Sequence, residues 1–88
     1  MDRQSFEEAL KRDGYEVTTN TTVGEKQNPV HSHPYDVRAM VIDGALTLSC
    51  DGKVQTFKPG ETFTMERGCQ HAESYGPEGA ITLLGRKH

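Results

Sequence analysis

The 88-residue chain has no tryptophan, and only 33% of its residues are hydrophobic. This length and composition are typical of one globular domain and are too small for two independent cores. No apolar run approaches the roughly 20 residues that a membrane-spanning helix needs, and the polar N-terminal sequence does not have the pattern of a signal peptide. We therefore expect a cytoplasmic protein that does not associate with a membrane.

An excess of positive charge is also absent. The formal net charge is −3 and the isoelectric point is near 5.7. Nucleic-acid binding requires a basic surface that neutralises phosphates, so we expect no nucleic-acid partner. A chain of this size buries only about two thirds of the surface that its unfolded form exposes. Pairing with a second copy would enlarge this thin core, and we expect a homodimer.

The chain has only two cysteines, Cys50 and Cys69, and they do not form a CxxC motif. This spacing gives no support to a standard redox motif, and it favours reduced thiols. Cys69 lies two residues before His71, so its thiolate is one candidate metal ligand. The alternative is a small buried side chain that only fills space.

The first 14 residues predict a short helix. Ser5-Phe6-Glu7-Glu8 has the pattern of a capping box, and Gly14 is a typical stop signal. From Tyr15 onward, apolar or β-branched residues alternate with polar ones, which is typical of a half-buried strand. We therefore divide the chain into an N-terminal helix over residues 1–14 and a single β domain over residues 15–88.

Short strands separated by turn residues continue through the rest of the chain. The predicted strands are Val37–Ile42, Ala45–Cys50, Lys53–Phe57, Thr62–Met65, His71–Tyr75 and Ala80–Leu84. Asp43-Gly44 and Asp51-Gly52 are hairpin signals, Pro59-Gly60 is typical of a sharp loop, and residues 76–79 separate the last two strands. This regular spacing indicates an all-β sandwich or barrel.

Three histidines give the strongest functional signal. His31 and His33 have the i, i+2 spacing that places both side chains on one face of an extended strand, and His71 follows a second predicted strand and turn. The three can meet around one ion. Neutral imidazoles are suited to a divalent transition metal, namely Fe, Zn, Ni, Cu or Mn, and leave coordination positions open. The alternative is a pocket with hydrogen-bonded histidines and no metal.

The histidine segments resemble the two motifs of a minimal single-domain cupin. His31-Ser32-His33 is followed by Val37 at the position of the family's ligating Glu and then by Gly44. The second motif has Gly60, then Glu66-Arg67-Gly68 with Glu66 replacing the usual Pro, then His71. This resemblance implies a small cupin β-barrel, a jelly roll or double-stranded β-helix, with the three histidines as metal ligands.

Because Val37 cannot bind a metal, another carboxylate must replace the usual Glu if the site has four ligands. Glu73 lies two residues after His71, so on a regular strand its side chain faces the same way. Asp36 is adjacent to the altered position but has the opposite parity. We prefer Glu73 as an additional ligand or acid/base group, and the alternative is a solvated surface carboxylate.

The predicted pocket lining follows from alternation along the strand that contains Val37. Three small apolar residues share the inward parity: Val37, Ala39 and Val41. Met40 and Ile42 then form an outward apolar strip, which either a dimer partner or the N-terminal helix covers. Over residues 62–65, the alternation leaves open whether the Phe and Met or the two Thr residues face inward.

Two classes of function are compatible with these features. One is a small metalloenzyme, a dioxygenase or an isomerase that acts on a small acidic or enolisable molecule. The other is a non-catalytic sensor domain that binds a small molecule and requires no metal. The cupin resemblance does not distinguish them, because one fold supports many activities.

Overall fold

The computed structural model describes residues 2–88, which form one helix and six strands in an antiparallel sheet. The elements are α1 (Arg3–Arg12), β1 (Glu16–Thr22), β2 (Lys26–His31), β3 (Asp36–Cys50), β4 (Lys53–Phe57), β5 (Thr62–Met65) and β6 (His71–Lys87). The prediction of an all-β fold with one short N-terminal helix is confirmed.

The helix begins earlier than the capping box predicted. Asp2 is the N-cap, and its side chain accepts a hydrogen bond from the Ser5 amide at 2.8 Å. A carboxylate is a good acceptor for the free amides of a first turn, so Ser5 lies inside the helix and the prediction that it is the cap is wrong. The predicted stop is correct, because Gly14 adopts a left-handed conformation with φ of +84° just after the helix.

Two long strands organise the sheet, since β3 and β6 pair with each other and bend together near their middles. On one side of the bend lie β1, β5, residues 36–42 of β3 and residues 80–87 of β6, which we call the helix-covered half. On the other side lie β2, β4, residues 46–50 of β3 and residues 71–75 of β6, which we call the histidine half.

Two of the strand ends predicted from the sequence are wrong, because they lie at this bend. Asp43-Gly44 is not a hairpin turn and residues 76–79 do not end a strand, because β3 and β6 continue through both positions with slips in register. A side chain at Gly44 would overlap the carbonyl oxygen of Gly79, so this glycine permits two backbones to cross closely. The Asp51-Gly52 hairpin is confirmed, with both residues at positive φ and Cys50 paired with Lys53.

An apolar cluster fills the space between the two halves. Its buried members are Val37, Ala39, Val41, Leu46, Leu48, Phe63, Tyr75 and Ala80. Phe63 and the partly buried Met65 pack inward, which resolves the alternative left open for β5. Both halves therefore contribute to one core, as in a barrel whose walls face each other.

A second apolar cluster lies under the helix. It consists of Phe6 and Leu10 from α1 packed on Met40 and Leu83 from the sheet. The helix therefore covers the outward face of Met40, and this strip gives no argument for a dimer, which stays a prediction. No element within residues 2–88 covers the outer face of the histidine half in this way, and Val30 and Val54 there are 66% and 69% exposed. Within residues 2–88, no helix is long and apolar enough to span a membrane.

Candidate metal centre

The structure brings the three histidines together at one end of the histidine half. His31 ends β2 and lies opposite His71, the first residue of β6. The ring centroids of His31 and His71 are 4.3 Å apart, and that of His33 lies 4.8 Å from the first and 5.2 Å from the second. One nitrogen from each ring lies within 4.8 Å of the other two. This spacing allows the three side chains to share one ion.

A bulge in β2 places His31 at this position. Asn28 pairs with Glu73 and His31 pairs with His71, so three steps along β2 match two steps along β6. A regular ladder would put Val30 opposite His71 instead. The extra residue falls beside Pro29, which has no amide hydrogen to donate to the ladder. The Pro29 carbonyl lies 2.7 Å from His31 Nδ1 and fixes the orientation of the ring.

The hydrogen bonds of His31 and His71 determine which ring nitrogen is free. His31 Nδ1 donates to the Pro29 carbonyl, and His71 Nδ1 donates to the Cys69 carbonyl at 3.0 Å. A carbonyl oxygen can only accept, so in each neutral ring the lone pair is on Nε2. His71 is buried, and its Nε2 has no hydrogen-bond partner among the described residues. An unsatisfied buried nitrogen of this kind fits a metal ligand.

Glu73 lies against two of the three histidines. One carboxylate oxygen, Oε1, lies 3.3 Å from Nε2 of His31 and 3.5 Å from Nε2 of His71. The lone pairs on these two nitrogens repel the carboxylate oxygen unless the rings take up protons or a cation lies between the three atoms. Ligand atoms at about 2.1 Å from a tetrahedral metal are about 3.4 Å apart, which matches these separations. Three imidazole nitrogens and a carboxylate oxygen are donors that suit a transition metal.

Two other candidate residues lie away from the cluster. Asp36 accepts hydrogen bonds from the Arg67 backbone amide at 2.8 Å and from the guanidinium group at 3.1 and 3.3 Å. These bonds hold the pKa of Asp36 below its usual value. The thiol of Cys69 lies beside Cys50, and only its backbone carbonyl contacts a histidine. The opposite strand parity explains the position of Asp36, and the turn before His71 explains that of Cys69.

Neighbouring groups favour the neutral form of His33 and orient the side chains of His33 and Glu73. Burial, and then the nearby His31 and His71, lower the pKa of His33, which favours its neutral form. The Tyr75 hydroxyl donates to Oε2 of Glu73 at 3.0 Å, and burial raises the pKa of Tyr75 to about 12, so it remains a donor. The ring of His33 stacks on Tyr35 with a centroid distance of 4.8 Å. These contacts orient the donor atoms.

A cavity of about 250 Å³ opens beside the histidines, between the two halves of the sheet. Val37 lines it, whereas Ala39 and Val41 are buried in the adjoining apolar cluster and are not among its lining residues. Arg86 and Lys26 add positive charge to the wall. Sequence reasoning missed Arg86 because the last strand was predicted to end at residue 84. Continued alternation would have placed it on the inward face.

Solved structures of other proteins resemble this fold over most of the chain. A protein of unknown function from Rhizobium leguminosarum is 23% identical, with a TM-score of 0.77 and coverage of 84% of this chain and 70% of that one. KdgF from Halomonas sp. is 17% identical, with a TM-score of 0.71 and the same coverage. A putative mannose-6-phosphate isomerase from Ralstonia eutropha is 21% identical, with a TM-score of 0.71 and coverage of 85% and 75%.

These identities show a shared fold. No curated protein matches the sequence. A family model described as the cupin domain matches residues 18–81, which include all three histidines and Glu73. This range is well over half of the chain, and it confirms the resemblance inferred from the two histidine motifs. The chain belongs to the cupin family.

Proposed function

We propose that this cupin is a metal-dependent enzyme that acts on a small anionic molecule. His31, His33, His71 and Glu73 would hold a divalent transition metal. The single observation that supports this most strongly is the convergence of the buried Nε2 of His71, the Nε2 of His31 and one oxygen of Glu73. Glu73 would replace the carboxylate ligand that Val37 cannot supply.

The donor set favours a particular group of metals. Three imidazoles and one carboxylate suit Fe, Zn, Ni, Cu or Mn, whereas Mg²⁺ and Ca²⁺ prefer oxygen ligands. When bound, such a metal would act as a Lewis acid toward an anionic oxygen and, if redox-active, would activate O₂. The chain's own residues would position the substrate and exclude water.

The cavity wall favours a small acid as the substrate. Arg86 has no carboxylate partner among the described residues, and its one polar contact is with Thr18 at 3.5 Å. Its guanidinium is therefore available to hold a carboxylate or enolate of the substrate, with Lys26 adding charge nearby. Val37 and Phe63 supply an apolar wall on the same cavity, and about 250 Å³ is enough only for a small molecule.

The position of Glu73 favours a dioxygenase over an isomerase. It is the only carboxylate that lines the cavity within residues 2–88. As a ligand between two imidazoles it is not free to carry a proton, whereas an isomerase needs a base beside the substrate. One structural relative is named as a putative mannose-6-phosphate isomerase. In an isomerase of this fold, Glu73 would serve as that base.

The lack of a second carboxylate along the described cavity wall also favours one alternative. In this alternative the chain is a small-molecule sensor in which the histidines and Arg86 bind the ligand directly and no metal is required. The two proposals differ in whether ligand binding survives removal of metal.

Metal content tests the proposal. Untagged protein purified without chelator and reconstituted with each divalent metal should hold close to one equivalent, measured by plasma mass spectrometry. His33→Ala should reduce this below about a tenth of an equivalent. His88→Ala is the matched control, because His88 contacts Tyr35 but is not part of the cluster. Retention of metal by the His33 variant, or no metal in the unmodified chain, would contradict the proposal.

The role of Glu73 is tested with Glu73→Gln, and Glu78→Gln is the control on the exposed part of β6. A ligand role predicts weaker metal binding, whereas a base role predicts normal metal content with lost turnover. Turnover is screened as O₂ consumption with small carboxylic acids and diketones. Binding of these acids to metal-free protein with unchanged affinity would support the sensor instead.

A further inference from the structure

A second cluster of reactive side chains lies behind the histidines. Cys50, the last residue of β3, and Cys69, in the turn before β6, place their sulfur atoms within 4.8 Å of each other. Both cysteines are free and half-buried, so small reagents can reach them. The hydrogen bond with the Cys69 thiol, followed by burial, raises the pKa of Cys50 to about 11. The two thiols therefore behave as a contacting pair.

We propose that Cys50 and Cys69 form a redox pair that closes to an intramolecular disulfide. This disulfide would restrict the Cys69 carbonyl that orients the His71 ring. A disulfide requires sulfur atoms about 2.05 Å apart, so its formation draws the two sulfurs together from the observed separation. The pair does not have the CxxC spacing of a sequence motif. Tertiary structure brings it together, because β3 and β6 run side by side at this end of the sheet.

The turn that contains Cys69 connects this pair to the histidine cluster. The Cys69 carbonyl accepts the Nδ1 hydrogen of His71, and the Gly68 amide donates to the His33 carbonyl at 2.9 Å. Cys50 lies opposite His71 in the ladder between β3 and β6. A bond between the two sulfurs would fix Cys69 against the end of β3 and so restrict the carbonyl that orients His71.

The oxidant for this step is a small disulfide such as oxidised glutathione. The Cys69 thiolate attacks one sulfur of the oxidant, which releases one small thiol and leaves a mixed disulfide on Cys69. Cys50 then loses its proton and attacks the Cys69 sulfur, which releases the second small thiol. In balance, two cysteine thiols are oxidised to one disulfide, the oxidant is reduced to two thiols, and the protons pass to the two leaving thiolates.

The test uses the full chain, stripped of metal with a chelator and treated with oxidised glutathione. We expect loss of both free thiols, a mass lower by two hydrogens and no glutathione adduct. Tryptic cleavage after Lys53 and Arg67 should leave the Cys50 and Cys69 peptides joined until a reductant is added. A stable glutathione adduct on the unmodified chain, or a disulfide between two chains, would overturn the proposal.

Cys50→Ser is the matched control, because a hydroxyl cannot complete the exchange. It should stop at a glutathione adduct on Cys69. The effect on the cluster is read from the imidazole NMR signals of the metal-free protein. Oxidation should shift the His71 signals more than those of His31, since Pro29 holds His31 from β2. A disulfide with no shift of His71 would overturn the coupling. Neither readout requires that the histidines bind metal.

Discussion

The helix-covered half and the histidine half share the strands β3 and β6 but differ in what their residues do. In the helix-covered half, apolar side chains are buried on both faces, inward in the barrel core and outward beneath α1. In the histidine half, the inner face has His71 and Glu73, and Val30 and Val54 are exposed on the outer face. We infer that one half supplies most of the stability and the other supplies the chemistry.

This division has a physical reason. A small barrel has little apolar surface to bury, so the cost of burying unpaired polar groups must be offset elsewhere in the fold. Here α1 adds Phe6 and Leu10 to the half that does not contain the three histidines. The ladder of β3 and β6 connects this packing to His71, the first residue of β6. Three changes test whether the halves are so divided.

The largest expected effect is on stability in the helix-covered half. Leu10 is completely buried beneath Gly85, and Leu10→Ala should lower the free energy of unfolding by about 3 kcal/mol because it leaves a cavity. Val54→Ala, on the outer face of the histidine half, should change it by less than about 0.5 kcal/mol. Urea denaturation followed by circular dichroism measures both. Similar losses for the two variants would contradict the division.

A smaller effect is expected in the histidine half. Tyr75→Phe removes the hydroxyl that donates to Glu73, and we expect metal affinity to fall about tenfold because the carboxylate is less well oriented. The matched control is Tyr15→Phe, since Tyr15 packs against the cluster beneath the helix. Competition with a chromophoric chelator measures affinity. An equal loss in both variants would mean that the effect is not specific to the histidine half.

The smallest effect is a dependence on pH. The lowered pKa of His33 means that, as pH falls below about 6.5, the unfolded metal-free chain binds a proton before the folded chain does. The contribution of His33 to stability is therefore present at neutral pH and is lost as the solution is acidified. NMR titration of the imidazole should give a pKa below the ordinary value.

His31→Ala provides the comparison for this titration. Burial is the largest cause of the shift and the charge of His31 is the next, so the variant should move the pKa of His33 part of the way back toward 6.5. An unshifted His33 in the unmodified chain would show that the ring is solvated, which is not compatible with its position in the cluster.

Local sequence patterns determined much of this protein. Alternation predicted the inward faces of Val37, Ala39 and Val41, and the glycines and Asp51-Gly52 predicted turns, because side-chain parity and positive φ are local properties. The i, i+2 spacing of His31 and His33, with His71 and Glu73 on one parity, was enough to nominate the cluster. The incorrect break at Asp43-Gly44 arose because a local turn signal also fits a strand that bends.

Only the tertiary structure decided the rest. The bulge at Pro29 moves His31 into register with His71, and the pairing of β3 with β6 brings Cys50 to Cys69. The bent sheet also brings Arg86 to the cavity that the histidines line. These contacts join residues far apart in the chain, and their register depends on slips and bends in a ladder that no local pattern specifies. The sequence by itself determined which side chains were available, and the folded sheet decided which of them meet.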